Sequence, residues 1–336
     1  MRDTGTDDPR VRVRPGRRGS RPRTKIRPDY EDALTARVYR VDRGRYHLVM
    51  DDADASVVAI KARELGRGSI VVGDHVKVVG DTSGRKDTLA RIVEVLERSS
   101  ALRRTAEEGE AAGTERVIVA NADQLLIITA LSHPEPRTGM IDRCLVAAYD
   151  AKMEPILVLT KADLADPSPL LSQYSDLDLR VIITTIDEET GDTRGVDDVA
   201  RDVAGHISVL IGHSGVGKST LINALVPHAD RATGEVNAVT GRGRHTSSSA
   251  IAFDLPGGGI IIDTPGVRSF GLAHVAPDTL LEAFPDLLEL ARDCPRGCTH
   301  AASEPECGLD QATGPTAARV ESFRRLLEAR HSAEQF

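Results

Sequence analysis

Two short motifs stand in an order that few folds accommodate. Thr160-Lys161-Ala162-Asp163 comes before Gly212-His213-Ser214-Gly215-Val216-Gly217-Lys218-Ser219, whereas guanine-nucleotide-binding domains usually carry the phosphate loop first and the base-reading motif after it. The reversal implies a circularly permuted GTPase fold.

The later motif fits G-x-x-x-x-G-K-S in full and has the flanks that phosphate binding needs. The apolar run Ile207–Ile211 precedes it and Thr220-Leu221-Ile222-Asn223-Ala224-Leu225 follows, giving strand, glycine loop and helix. Gly212, Gly215 and Gly217 let the backbone curl so that its N–H groups, reinforced by the helix N-terminus, surround phosphate oxygens. Lys218 is expected to reach the β- and γ-phosphates and the Ser219 hydroxyl to coordinate Mg²⁺. Asp263-Thr264-Pro265-Gly266 follows the apolar run Ile260–Ile262, which places it at the carboxyl end of a buried strand, where open α/β sheets bind ligands. Asp263 is then the carboxylate beside Mg²⁺, and Gly266 offers its N–H to the γ-phosphate. Thr160 to Asp163 likewise ends a strand, Ile156–Leu159, so Asp163 is placed to accept from guanine N1 and N2 while the Lys161 stem packs along the base. This selects GTP over ATP. The usual pattern has Asn where this chain has Thr160.

At 336 residues the chain exceeds one typical core, and two or three domains are expected. No apolar stretch approaches the ~20 residues needed to cross a bilayer, and the charged N-terminus lacks an apolar h-region, so the chain reads as a cytoplasmic protein without membrane contact. The charge is uneven. Residues 1–28 hold ten Lys/Arg against Asp3, Asp7 and Asp8, a local +7 in a chain of formal charge −8, which leaves −15 for the rest. With four prolines and almost no large apolar residues, this arm is expected to be disordered and to contact nucleic-acid phosphates.

From Ala33 to Leu96 the pattern changes to short β-rich runs, 36–41, 46–50, 56–60, 75–79 and 89–95, separated by glycine turns. Five such strands suggest an OB-like barrel, a frequent nucleic-acid platform. Tyr39 and Tyr46 are its aromatics, and each can serve binding or packing. Ser99 to Gly113 reads as a polar linker. Beyond it, apolar runs at 117–119, 125–128, 156–159, 181–183, 207–211 and 260–262 alternate with helical spacing, the signature of a doubly wound sheet. Thr184-Thr185, after the 181–183 run, occupies the place of a base-covering loop.

Three of the four cysteines cluster near the C-terminus as Cys294-x3-Cys298-x-His300-x6-Cys307. Three thiols and one imidazole are the ligand set of a closed tetrahedral zinc site, and a cytosolic chain would not normally join such thiols as disulfides. Cys144 reads as a buried core residue. The following helix puts Val320, Phe323, Leu326 and Leu327 on one face, expected to pack on the zinc module. The organisation expected is a basic arm (1–32), an OB-like domain (33–97), a permuted GTPase domain (98–277, with 98–113 a linker) and a zinc-binding helical module (278–336).

Barrel, permuted motifs and Cys3His module together resemble the ribosome small-subunit-dependent GTPase A family, RsgA, over about Leu34 to Arg330. Gly241-Arg242-Gly243-Arg244-His245-Thr246 is similar to that family's switch I sequence. Thr160 and the zinc-ligand spacings, each one residue different, depart from the family pattern. The resemblance implies GTP/GDP with Mg²⁺, nucleotide contacts continuing through Thr220, one Zn²⁺, and a monomer acting late in assembly of the small ribosomal subunit on its 16S rRNA. It implies hydrolysis stimulated by that subunit. The residue after Gly266 is Val267, which cannot orient water as the Gln of Ras-like enzymes does. By resemblance His245 takes that role and Thr246 senses Mg²⁺ or the γ-phosphate, with Ser247 and Ser248 as alternatives. Arg242 or Arg244 could stabilise transition-state charge, a role worth roughly 10³ to 10⁵ in rate where an arginine finger operates. Two other readings stand beside this one: an RNA-binding scaffold with a nucleotide-sensing domain, and a P-loop enzyme acting on another small substrate.

Overall fold

The structure is a computed structural model, and it describes residues 30, 32–53, 55–66, 68–85, 87–105, 115–186, 193–226, 250–264, 272 and 275–329. Residues 1–29 of the basic arm, Gly266 and the segment carrying His245, Thr246, Ser247 and Ser248 lie outside them.

The glycine-separated runs of the N-terminal third form β1 (Leu34–Asp42), β2 (Arg45–Met50), β3 (Ser56–Lys61), β4 (His75–Gly80) and β5 (Ala90–Val95). They pair in the order β1-β2-β3-β5-β4 and close through β1–β4, which makes a five-stranded OB-like barrel. Alternation sends Ala36, Val38, Tyr46, Leu48, Val57, Val76 and Ile92 into its interior. Tyr46 is therefore a packing residue. Tyr39 lies on the outer face, edge-on to His47 with ring centroids 5.9 Å apart.

The second half of the sheet is parallel. β8 (Gln124–Ala130) is flanked by β9 (Glu154–Thr160) and β13 (Ile207–Ile211), with β10 (Arg180–Ile183) beyond β9 and β15 (Ile260–Asp263) beyond β13. All seven residues of β8 are buried, as a strand covered on both faces requires. One face carries α1 (Thr138–Asp150), α5 (Pro277–Leu281), α6 (Pro285–Ala291) and α7 (Pro315–Ala329). The other carries α3 (Val196–Val203) and α4 (Lys218–Leu225). A short α2 (Ser168–Leu171) follows β9, and β11 (Thr185–Ile186) pairs with β12 (Thr193–Arg194).

The barrel and this sheet are continuous. Strand β14 (Ile251–Asp254) pairs antiparallel with β15 on one side and with β1 on the other, at Arg40↔Ile251. A bulge between Val38 and Arg40 turns β1 out of the barrel to meet it. A second tie lies at Asn121, whose amide donates to the Gly73 carbonyl at 2.9 Å and accepts the Ser99 N–H at 2.8 Å. Gly73 has φ +90°, and a Cβ there would sit 1.9 Å from the Ala120 carbonyl oxygen, so the backbones touch where no other residue fits.

The stretch read as a linker includes a strand. Ala101–Thr105 forms β6, antiparallel to β7 (Glu115–Ala120), because Leu102 is fully buried in the main core. The face of α7 expected to cover the zinc module does so through Phe323, and it also packs on α1. Ala33 to Phe336 accordingly forms one compact unit.

Candidate nucleotide site and metal cluster

The permuted motifs converge at the carboxyl ends of β9, β13 and β15. Gly212 follows β13 so closely against β8 that a Cβ would lie 2.3 Å from the Ile128 carbonyl oxygen. Gly215 and Gly217 take φ of +82° and +93°, left-handed values that bend the loop into the first turn of α4. Val216 is buried between them, whereas Ser214 and Ser219 are exposed and His213 and Thr220 half-buried.

Lys218 folds back over this loop, donating to the Gly212 and His213 carbonyls at 2.5 and 3.0 Å. Burial lowers its pKa, and Asp263 opposes the shift. Burial raises the Asp263 carboxyl in turn, opposed by Lys218 and the Thr264 N–H. Asp263 Oδ1 is buried without a hydrogen-bond partner among the described residues. A cation and a carboxylate thus face one site, each partly desolvated and, among the described residues, not joined in an ion pair. That pairing fits a phosphate at Lys218 and a divalent cation near Asp263 and Ser219.

Across the sheet, Lys161 takes φ +58° immediately after β9 and its ammonium donates to the His133 carbonyl. Asp163 is exposed, and the Ala162 N–H is held by the Thr184 carbonyl at 3.3 Å. Thr160 is 5% exposed, and its hydroxyl donates to the Val216 carbonyl at 2.6 Å. Leu131 to Arg137 borders this region through His133, and nothing in its sequence marks it.

The C-terminal cluster brings one imidazole nitrogen and three sulfurs within 4.8 Å of one another. His300 Nδ1 lies 3.5, 3.6 and 3.8 Å from the sulfurs of Cys294, Cys298 and Cys307, and Cys294 and Cys307 Sγ are 3.9 Å apart. Ligand atoms about 2.0–2.3 Å from one ion at tetrahedral angles stand roughly 3.5–3.8 Å from each other. The Gly308 N–H donates to Cys294 Sγ at 3.1 Å and the His300 N–H to Cys298 Sγ at 3.4 Å, bonds that favour thiolates. Asp278 Oδ1, 4.0 Å from His300 Nε2, stands behind the imidazole, as carboxylates commonly do for ligating histidines.

The family model described as RsgA GTPase matches residues 95–273. The chain belongs to the RsgA GTPase family. Within it, the small ribosomal subunit biogenesis GTPase RsgA of Pseudomonas aeruginosa is 37% identical over 269 residues, 77% of this chain and 75% of that protein. The protein of the same name from Chlorobaculum tepidum is 36% identical over 273 residues, covering 79% and 86%. Among solved structures, YjeQ from Thermotoga maritima aligns with TM-score 0.63 at 25% identity, covering 90% of this chain and all of that one. YloQ, a circularly permuted GTPase, aligns with TM-score 0.60 at 21% identity, covering 92% and 99%, a likeness of fold. The RsgA fold, with its permuted order and N-terminal barrel, is the architecture seen here.

Proposed function

We propose that this chain is a GTP hydrolase of small ribosomal subunit biogenesis, stimulated by the subunit it acts on. The observation that carries the reading is the convergence of the three motif loops on a site where Lys218 and Asp263 are half-buried, opposed in charge and, among the described residues, not joined in an ion pair. In this reading residues 33–97 serve as the OB-like platform, 98–277 as the GTPase domain and 278–336 as a module held by one zinc on Cys294, Cys298, His300 and Cys307. Gly212 to Thr220 cradle GTP or GDP, with Lys218 on the phosphates, Gly266 beside the γ-phosphate, and Lys161 and Asp163 on the guanine. Ser219 would hold Mg²⁺, with Asp263 beside it, and the ion would supply positive charge against the phosphates. His245 orients the attacking water and Thr246 senses the γ-phosphate. The relatives' names supply the partner, the small ribosomal subunit. Contact with 16S rRNA, the monomeric state and a cytoplasmic site of action complete the proposal.

The test is hydrolysis of GTP and ATP by zinc-replete protein with and without purified small subunits. The reading expects slow GTP turnover alone, a large rise with subunits and little ATP turnover. Unstimulated binding without turnover would favour a nucleotide-sensing RNA-binding scaffold, and turnover of ATP alone would remove the guanine assignment.

A further inference from the structure

The metal cluster draws its ligand atoms from two stretches of chain, residues 294–300 and Cys307, and one side chain outside both reaches each of them. His300 is 4% exposed and takes φ +59°, a left-handed value uncommon outside glycine. In that conformation its N–H donates to Cys298 Sγ and its Nδ1 lies among the three sulfurs. Its carbonyl accepts the Nε–H of Arg324, in α7, at 3.1 Å.

Cys307 opens the 3₁₀ turn Gly308–Gln311, and its carbonyl accepts the Asp310 N–H at 3.0 Å. The Asp310 carboxylate accepts from Arg324 Nη2 at 2.7 Å, and the same guanidinium faces the Cys307 sulfur. One planar group therefore touches the backbone of His300 and, on the other side of the cluster, the turn and the thiol of Cys307. A guanidinium presents its donors in a rigid fork, so seating one edge on Asp310 fixes where Nε meets the His300 carbonyl. The Arg324 side chain is 17% exposed, which limits screening of these bonds by water. Three thiolates and a neutral imidazole leave a Zn²⁺ centre with about one net negative charge, and the guanidinium stands against it. Arg325, the next residue, turns instead to Asp142 of α1. Adjacent arginines of α7 thus reach the metal cluster and the helix that covers the sheet.

We propose that Arg324 is a positioning residue for the metal centre: its guanidinium spans His300 and the Cys307 turn and holds these two ligands at the separation that one tetrahedral ion needs. The inference rests on the zinc site proposed above. It makes zinc affinity depend on a side chain that is not itself a ligand.

The experiment titrates the zinc-loaded full chain with a chromogenic chelator to equilibrium, comparing wild type with Arg324→Met, Arg324→Lys and Arg319→Met. Arg324→Met keeps the apolar stem and removes the fork; it should hold zinc about tenfold more weakly, the scale for deleting a group that orients metal ligands. Arg324→Lys keeps the charge on a single donor group that cannot span both partners, and should lose about threefold. That milder variant carries the test if the methionine variant does not fold. Arg319 is the control for α7, which it ties to Asp286 and the Asp176 carbonyl at 2.7 and 2.6 Å without touching the cluster. Arg319→Met should hold zinc as wild type does. With Co²⁺ in place of zinc, the visible bands that report tetrahedral geometry should change in Arg324→Met and stay as in wild type in Arg319→Met. Wild-type zinc affinity in either Arg324 variant would overturn the proposal. An equal loss in Arg319→Met would overturn it too, because loosening of α7 would then be the cause. Wild type without bound zinc would instead remove the metal centre itself.

Discussion

Asp142 and Asp263 begin from the same physical position and end in different uses. Each carboxyl is raised above its ordinary pKa first by burial, each has an Oδ1 without a hydrogen-bond partner among the described residues, and each faces a cation. In α1, however, the Asp142 pair is closed: Arg325 of α7 brings Nε within 3.2 Å of Oδ2. The guanidinium lies 5.0 Å from the Tyr174 ring centroid and donates to the Gln173 carbonyl at 3.2 Å. At the nucleotide site the pair is open, because Lys218 is held by its own loop's carbonyls instead. A buried carboxylate in contact with its cation ties two elements together. One kept apart from its cation leaves both charges for a ligand.

The largest effect should come from breaking the closed pair. Arg325→Met leaves Asp142 buried with only the Tyr174 hydroxyl and Arg143 to favour its charge. Because the Arg325 side chain is itself 37% exposed, the loss of unfolding free energy, read by urea denaturation with GTP affinity retained, should fall below the ~3–5 kcal/mol of a fully buried pair. The pH dependence distinguishes this cause from lost packing. A folded-state pKa above the unfolded one means that the native chain binds the proton more tightly, so ionised Asp142 costs stability at neutral pH. That cost fades as pH falls through the raised value toward the ordinary carboxylate range. Arg325 pulls the pKa down, so its removal widens the window, and the deficit should be smaller at pH 5 than at pH 7. An equal deficit at both values would mean that only packing was lost.

Breaking the open pair should reverse the pattern, sparing the fold and removing the ligand. Lys218→Ala should lose about 100-fold or more in GTP affinity, the equivalent of about 2.7 kcal/mol, with its melting temperature in the nucleotide-free state near wild type. Asp263→Asn relieves a carboxylate ionised against its surroundings. The nucleotide-free chain should gain about 0.5–2 kcal/mol, the usual scale when a functional site's unfavourable group is removed, while the Mg²⁺-dependent part of GTP binding disappears. If Asp263→Asn were as damaging to stability as Arg325→Met, the two carboxylates would not differ in use.

What the sequence makes legible follows from how local each signal is. Apolar runs locate β8, β9, β13 and β15, and the glycine spacing locates the phosphate loop, because neighbours in the chain decide both. The short alternating runs locate the barrel strands within one or two residues for the same reason. The Asp142–Arg325 and Thr160–Val216 ties join segments distant in the chain, so no window of sequence contains them. Strand β14 has only Ile251 and Phe253 as large apolar residues, and its place depends on the outward turn of β1. Strand β6 was hidden because Leu102 is its one large apolar side chain in a stretch rich in Glu, Arg and Gly. Asn121 gives no local sign that its amide joins barrel to sheet.

A third acid–base pair calibrates the comparison from the exposed side. Arg37 of β1 and Asp254 of β14 meet at 3.2 Å where the barrel joins the nucleotide sheet, but the Asp254 side chain is 76% exposed. An exposed pair gains little in high dielectric and loses side-chain entropy to hold its geometry. The junction has other support in the Arg40↔Ile251 strand pairing and in Asn121. Asp254→Asn should therefore change unfolding free energy by less than about 0.5 kcal/mol, and added salt should shrink even that difference. Urea unfolding at low and high salt measures it. A loss above about 1.5 kcal/mol would place this pair beside Asp142–Arg325, so that contact geometry rather than burial would decide which charges hold the molecule together. A small, salt-sensitive loss would leave burial as the deciding variable, and would assign the barrel's hold on β14 to backbone pairing and to Asn121.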